Sequence, residues 1–308
     1  MKRRSELAFA AGAALALLLH PATAGAYCRT AACEGKDVAW QVCTPDSPDD
    51  CGKPLYWGNI CVGYTLQKGA SIQVSLADAE GVFQKAFEAW MNADCGAGSH
   101  PSIDLVYQGP VECKTQEYNK EKGNANVVMF RDDDWPYGSG GILALTTVTY
   151  NKNTGEIYDA DMELNSQNVK SFTLGDDNVE FDLLSIATHE AGHFLGIAHS
   201  PENDATMFTN YQNGSTSLRD LTADDVAAIC AAYPPALPKS LECDPEPRHG
   251  FASECGVDQS EVQDPPVQQA KACAVAAPGG GAGSTGLAMI GLLLGLGAVA
   301  RRRARQAS

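Results

Sequence analysis

Apolar residues at Ile60, Val62, Tyr64 and Leu66 alternate with smaller or more polar neighbours, a period that predicts a strand over residues 60–66. Ser75-Leu-Ala-Asp78 then has the form of a helix capping box, with Asp where Glu is commoner. Behind it Ala79, Val82, Phe83, Ala86, Phe87, Trp90 and Met91 recur three and four apart, as on one face of an amphipathic helix. Residues 103–107 and 126–130 predict two further strands. Residues 142–150 and 157–164 predict another pair, joined by the turn-forming stretch 151–155. A second helix is expected over 181–195 and a third over 222–232, where Thr222 and Asp225 have capping-box spacing. The order is strand, helix, several strands, helix, helix, which predicts an α+β domain over residues 54–235. There is no internal repeat.

The flanks follow other patterns. Residues 1–26 combine Lys2, Arg3 and Arg4 with an apolar stretch and Ala24-Gly25-Ala26, and predict a cleaved secretory signal. Residues 27–53 hold Cys28, Cys33, Cys43 and Cys51 among Pro, Asp and Gly, and predict a disulfide-stapled leader. Residues 236–278 are rich in Pro, Gln and Glu. They predict a stalk with one small disulfide loop from Cys243 and Cys255. Residues 279–308 run from a glycine triplet through a short apolar segment to Arg301, Arg302, Arg303 and Arg305. An anchor of this polarity would leave the main domain outside the membrane.

Composition sharpens this picture. The 308 residues carry a formal charge of −16, which argues against a nucleic-acid partner, since that would need a basic face. Without residues 1–26 and the last eight residues the rest has 15 basic and 37 acidic residues, a net of −22. Eleven cysteines point to an oxidising compartment. Ten of them lie within residues 28–255, and the odd one, Cys273, stands ahead of the tail.

The chemistry concentrates at residues 189–199, His-Glu-Ala-Gly-His-Phe-Leu-Gly-Ile-Ala-His. On a helix His189 and His193 project from one face, and two nitrogens at that spacing can reach one Zn²⁺ at about 2.0–2.1 Å. Glu190 is placed to reach a water on the open coordination position. Gly196 permits the left-handed backbone that ends a helix, so His199 can swing back as a third ligand. Three neutral histidines leave the metal dipositive and suited to activating water.

These residues resemble the metzincin metalloproteases. Ser200 after the third histidine, and Ala205-Thr-Met207-Phe-Thr-Asn-Tyr211 downstream, are similar to the matrixins among them. Leu221 to Ile229 and the first helix also fit, so the likeness covers roughly residues 55–235. It implies a metzincin fold: a twisted, mostly parallel sheet of about five strands with three main helices. It implies one catalytic Zn²⁺ held by His189, His193 and His199, with Glu190 as general base in an endopeptidase acting on extracellular proteins. Met207 would lie beneath the metal and Tyr211 would wall a substrate pocket; Thr209 stands where the family usually has Pro. The substrate would lie extended along an edge strand within residues 142–150. A catalytically inactive surface adhesin of the same fold is the alternative, and a monomer is expected.

Further expectations concern residues outside this motif. Residues 101–188 lack histidine, so the structural zinc of many matrixins is not expected. Asp159, Asp161 and Glu163 alternate on one strand face and are a candidate Ca²⁺ group, with a solvated strand edge as the plainer reading. Cys51-Gly52-Lys53-Pro54 partly echoes the family's latency segment, but three neighbouring cysteines favour a disulfide. The tail resembles the sorting signals of bacterial surface proteins, more narrowly the myxobacterial type. On that likeness Cys273 is the processing or attachment cysteine and the protein ends at the cell envelope.

Overall fold

The computed structural model describes residues 27–32, 53–138, 141–235, 243–254 and 267–271. The signal at 1–26, the tail at 279–308, Cys51 and Cys273 lie outside the described residues. In chain order the elements are β1 (Ala31–Ala32), β2 (Lys53–Pro54), β3 (Tyr56–Trp57), β4 (Cys61–Gln67), α1 (Leu76–Met91), β5 (Asp104–Val111), β6 (Val127–Phe130), β7 (Ala144–Asn151) and β8 (Glu156–Leu164). They continue with β9 (Phe172–Thr173), β10 (Phe181–Asp182), α2 (Leu183–Phe194), α3 (Ala223–Ala232) and β11 (Val267–Lys271). Among the described residues, no helix is long and apolar enough to cross a membrane.

The five long strands run β5-β4-β6-β8-β7 across the sheet. β4, β5, β6 and β8 pair in parallel, and only β7 turns back, antiparallel to β8. This is the mostly parallel α+β sheet that the pattern and the family likeness predict. Short β3 adds to the start of β8, and β11 adds outside β7. All eight residues of β7 are buried, and so are eight of the nine in β8, because both faces of the sheet are covered here.

Helix α1 begins where the sequence places it. Ser75 Oγ accepts the Asp78 N–H at 3.2 Å, and Ala79, Phe83, Ala86, Phe87 and Trp90 form its buried face. Phe87 meets Tyr64 of β4 at 4.4 Å between ring centroids and Phe194 of α2 at 5.2 Å. Trp90 Nε1 donates to the Thr188 carbonyl at 2.8 Å, so α1 and α2 are joined by a polar contact within the apolar layer. Removing such a ring costs about 3–5 kcal/mol.

The stretch expected as a stalk contributes to the folded body. Asn124 Nδ2 donates to Arg248 O and Asn59 Nδ2 to Asp244 O, both at 2.8 Å, and Arg248 stands 4.0 Å from the Tyr158 ring centre. Cys243 is bonded to Cys61 at the head of β4, and Cys95 to Cys230 of α3. The expected small loop within 236–278 is thereby corrected. A disulfide requires Cα atoms about 4.4–6.8 Å apart, and the fold, not proximity in sequence, brings Cys61 and Cys243 to 5.3 Å. Cys28 and Cys113 are also disulfide-bonded.

Candidate metal centre

Helix α2 carries His189, Glu190 and His193, and both of its ends are tied down. At the start, Asp182 accepts the Ser185 N–H at 2.8 Å and receives a two-pronged contact from Arg219, Nε to Oδ2 at 2.8 Å and Nη2 to Oδ1 at 2.6 Å. At the other end Gly196 has φ +82°, the left-handed value that glycine adopts without strain. Its N–H donates to His193 O at 2.9 Å, and the Ile197 N–H donates to Gly192 O at 2.9 Å, together a Schellman stop. A Cβ at Gly196 would stand 2.8 Å from Leu55 O, so the turn also needs the empty space.

The turn after Gly196 is gripped by the leader. Thr30 N donates to Gly196 O, and Ala198 N donates to Cys28 O, each at 3.0 Å. The chain then returns with His199, and the three imidazoles converge. The Nε2 atoms of His189 and His193, and those of His189 and His199, are 3.1 Å apart; those of His193 and His199 are 3.3 Å apart. Nitrogens bound tetrahedrally to one zinc at about 2.05 Å would be about 3.3–3.4 Å apart, close to this spacing.

The proton positions agree with a metal site. His189 Nδ1–H donates to Thr206 O at 2.7 Å and His193 Nδ1–H to Ile197 O at 2.8 Å, which leaves their Nε2 lone pairs turned inward. Burial, followed by the neighbouring imidazoles, holds His189 and His199 well below the usual histidine range, in the neutral form a cation requires. Among the described residues, this is the one cluster of three or more His, Cys, Asp and Glu whose ligand atoms converge.

Glu190 is aimed by a residue for which the sequence gives no signal. Thr146 of β7 donates its hydroxyl to Glu190 Oε2 at 2.6 Å. Met207 packs under the helix, where a Cβ at Gly192 would overlap its sulfur. The main chain around Met207 is held by Asp225, which takes N–H bonds from Thr206 at 2.8 Å and Met207 at 3.0 Å, as well as from Thr222 at 2.9 Å. Spacing reveals Asp225 only as a helix cap; its second role depends on the folded chain. Ser200 donates its hydroxyl to Asp224 at 2.7 Å and its N–H to Met207 O at 2.9 Å. Tyr211 is buried against Phe181. Its hydroxyl accepts the Asp182 N–H and donates to Ser215 O, both at 2.8 Å, so it braces the start of α2.

Asp159, Asp161 and Glu163 share one face of β8, but that strand lies between β6 and β7 and all three are buried. The solvated-edge reading is therefore corrected: alternation at the sequence level does not show that a helix or loop covers the second face. Glu163 is engaged by Arg131, whose Nε lies 2.8 Å away, and by the Tyr137 hydroxyl. Asp161 accepts N–H bonds from Val127 at 2.8 Å and Glu117 at 3.1 Å. Among the described residues neither oxygen of Asp159 meets a hydrogen-bond donor, and the same holds for the hydroxyls of Thr147 and Thr149 on the facing strand. Burial, followed by Asp161 and Glu117, raises the Asp159 carboxyl well above the usual range.

A His-Glu-x-x-His helix stopped by glycine, a third histidine beyond the turn and a methionine beneath it form a site of the metzincin kind, with a donor set that suits zinc. The Matrixin family profile matches residues 56–234, and the chain belongs to that family. It is 29% identical over 202 residues to neutrophil collagenase of Homo sapiens, covering 65% of this chain and 37% of that protein. It is 27% identical over 191 residues to metalloendoproteinase 1-MMP of Arabidopsis thaliana, covering 60% and 46%. It is also 27% identical over 204 residues to interstitial collagenase of Sus scrofa, covering 66% and 37%. The chain spans less than half the length of each of these relatives.

Proposed function

We propose that the protein is a zinc-dependent metalloendopeptidase that cleaves peptide bonds in extracellular proteins. The observation that carries this reading is the convergence of three inward-facing Nε2 atoms within 3.3 Å, on the same helix end as a glutamate fixed by Thr146. His189, His193 and His199 would hold the zinc. Bound there, zinc supplies a Lewis acid that polarises the scissile carbonyl and acidifies a water. Glu190 takes the proton of that water and hands it to the leaving amine, and the Thr146 hydroxyl keeps its carboxylate turned towards the reacting atoms. The substrate lies extended along β7 by strand addition.

Three further assignments belong to the same proposal. Ca²⁺ is the cation that would satisfy Asp159, with the Thr147 and Thr149 hydroxyls beside it. The protein is exported by residues 1–26, and the tail at 279–308 leads to attachment at the cell envelope, with Cys273 as the attachment residue. It acts as a monomer on protein substrates.

The test is zinc stoichiometry of the purified protein together with cleavage of casein or gelatin. One zinc per chain is expected, with cleavage that disappears on chelation and in Glu190→Ala. Activity that survives Glu190→Ala would overturn the mechanism. Stoichiometric zinc without cleavage of any protein would favour an inactive adhesin of the same fold.

A further inference from the structure

β7 would be the open edge of the main sheet, except that β11 lies on it. Five consecutive pairs join the two strands in antiparallel register: Val267 with Asn151, Gln268 with Tyr150, Gln269 with Thr149, Ala270 with Val148 and Lys271 with Thr147. The last pair stands one residue short of Thr146, the residue that holds Glu190. Residues 267–271 thus take the main-chain positions along β7 that an extended peptide would need, and they run along the edge towards the metal centre.

We infer that residues 267–271 are a built-in competitor for the peptide-binding edge, a strap that must leave β7 before a substrate can pair with it. The inference rests on the reading of β7 as the substrate strand.

The sequence of the strap suits reversible docking. Val-Gln-Gln-Ala-Lys offers one strong strand former among five residues and follows Pro265-Pro266, so its own strand propensity is low, and the five-pair ladder supplies main-chain hydrogen bonds to β7. Such bonds contribute little net free energy each, because the open strand and the open edge are both solvated. The tether compensates. Only twelve residues separate Glu254, in the segment stapled through Cys243, from Val267. A tether of twelve residues gives an effective concentration of about millimolar. A strap of low intrinsic affinity then covers the edge most of the time without sealing it. If the edge is open about one tenth of the time, KM rises about tenfold and kcat is unchanged.

The test is the double variant Gln269→Pro/Ala270→Pro in the full chain. Adjacent residues of a strand point their N–H groups in opposite directions, so one of the two prolines removes a donor aimed at β7. The substrate is an internally quenched extended peptide. The expected result is a KM about tenfold lower with kcat and zinc content unchanged, faster amide hydrogen exchange across residues 144–151, and competitive inhibition of the variant by a synthetic peptide of residues 264–272. Equal KM and equal exchange in the two proteins would overturn the inference and make β11 a permanent strand. If neither protein cleaves any peptide, the protease reading fails separately. Exchange at 144–151 and the affinity of a fluorescent extended peptide for the two proteins then still decide whether the strap covers the edge.

Discussion

Asp225→Asn tests whether the floor of the metal centre controls the metal. The buried carboxylate accepts four hydrogen bonds: Met207 N–H on Oδ1 at 3.0 Å, and on Oδ2 the Thr206 N–H at 2.8 Å, the Thr222 N–H at 2.9 Å and the Thr222 hydroxyl at 2.8 Å. An asparagine turned to keep three of these on its one oxygen sets its NH₂ against the Met207 N–H. The Met207 N–H and the new NH₂ then both lack an acceptor, at about 1–3 kcal/mol for the backbone donor, and the other three bonds lose their charge assistance, so the total loss is at least roughly 2–4 kcal/mol. That is a large part of the 5–15 kcal/mol typical of a domain, yet the chain should still fold. The thermal midpoint should fall by roughly 5–15 °C. The more specific effect concerns zinc. Thr206 both donates to Asp225 and accepts from His189 Nδ1, so a loosened turn frees the His189 ring. Losing such an outer partner weakens metal binding about tenfold or more. Zinc affinity, measured by chelator competition, should fall in Asp225→Asn and hold in Asp224→Asn, whose carboxylate accepts the Ser200 hydroxyl. A lower midpoint with unchanged zinc affinity would refute the link from Asp225 through the methionine turn to His189.

Three other changes probe separate parts of the site. Thr146→Val removes the hydroxyl on Glu190 at nearly constant volume. It should lower kcat about tenfold with KM and zinc content unchanged, and Thr146→Ser should restore it; equal kcat in Val and Thr proteins would show that Glu190 needs no such guide. Thr30→Pro deletes the N–H on Gly196 O and should lower both the thermal midpoint and zinc affinity; a change in neither would free the glycine turn from the leader. Asp159 is easier to protonate in the folded chain, so its contribution to stability is present below the unfolded value, about 3.9, and is lost as pH rises through the folded value. In calcium-free buffer Asp159→Asn should therefore raise the midpoint more at pH 7 than at pH 4, and added Ca²⁺ should stabilise only the parent protein; the opposite pH trend would refute the burial argument.

What could be read in advance is local. The buried face of α1, the caps at Ser75 and Thr222, and the stop at Gly196 each depend on residues within a few positions of one another, and each lies where the spacing places it. What the chain kept hidden is long-range. Thr146 is one threonine among several on β7 until α2 is laid against it. The pairing of Cys61 with Cys243 spans 182 residues, and no spacing rule reaches that far. Asp159 on a central, doubly covered strand has the same alternating neighbours as it would on a wet edge. β11 escaped because two glutamines and a lysine make a poor strand; an existing edge orders them, not their own propensity.

The end of α2 shows why the histidines can be arranged by the chain itself. The carbonyls at a helix C-terminus lack intrahelical partners, and an unanswered one in the core would pull the end apart. Here each finds a donor. Gly192 O takes the Ile197 N–H and His193 O the Gly196 N–H, both at 2.9 Å. Phe194 O takes Trp57 Nε1 at 2.8 Å, and Leu195 O takes the Tyr233 hydroxyl at 3.0 Å. Beyond the helix, Gly196 O and the Ala198 N–H are answered by Thr30 and Cys28. The last two contacts come from the leader. A latency segment is removed on activation, but removing residues 28–30 would leave a carbonyl and an N–H unpaired within the turn that positions His199. The turn that positions His199 therefore depends on this part of the leader staying with the folded domain.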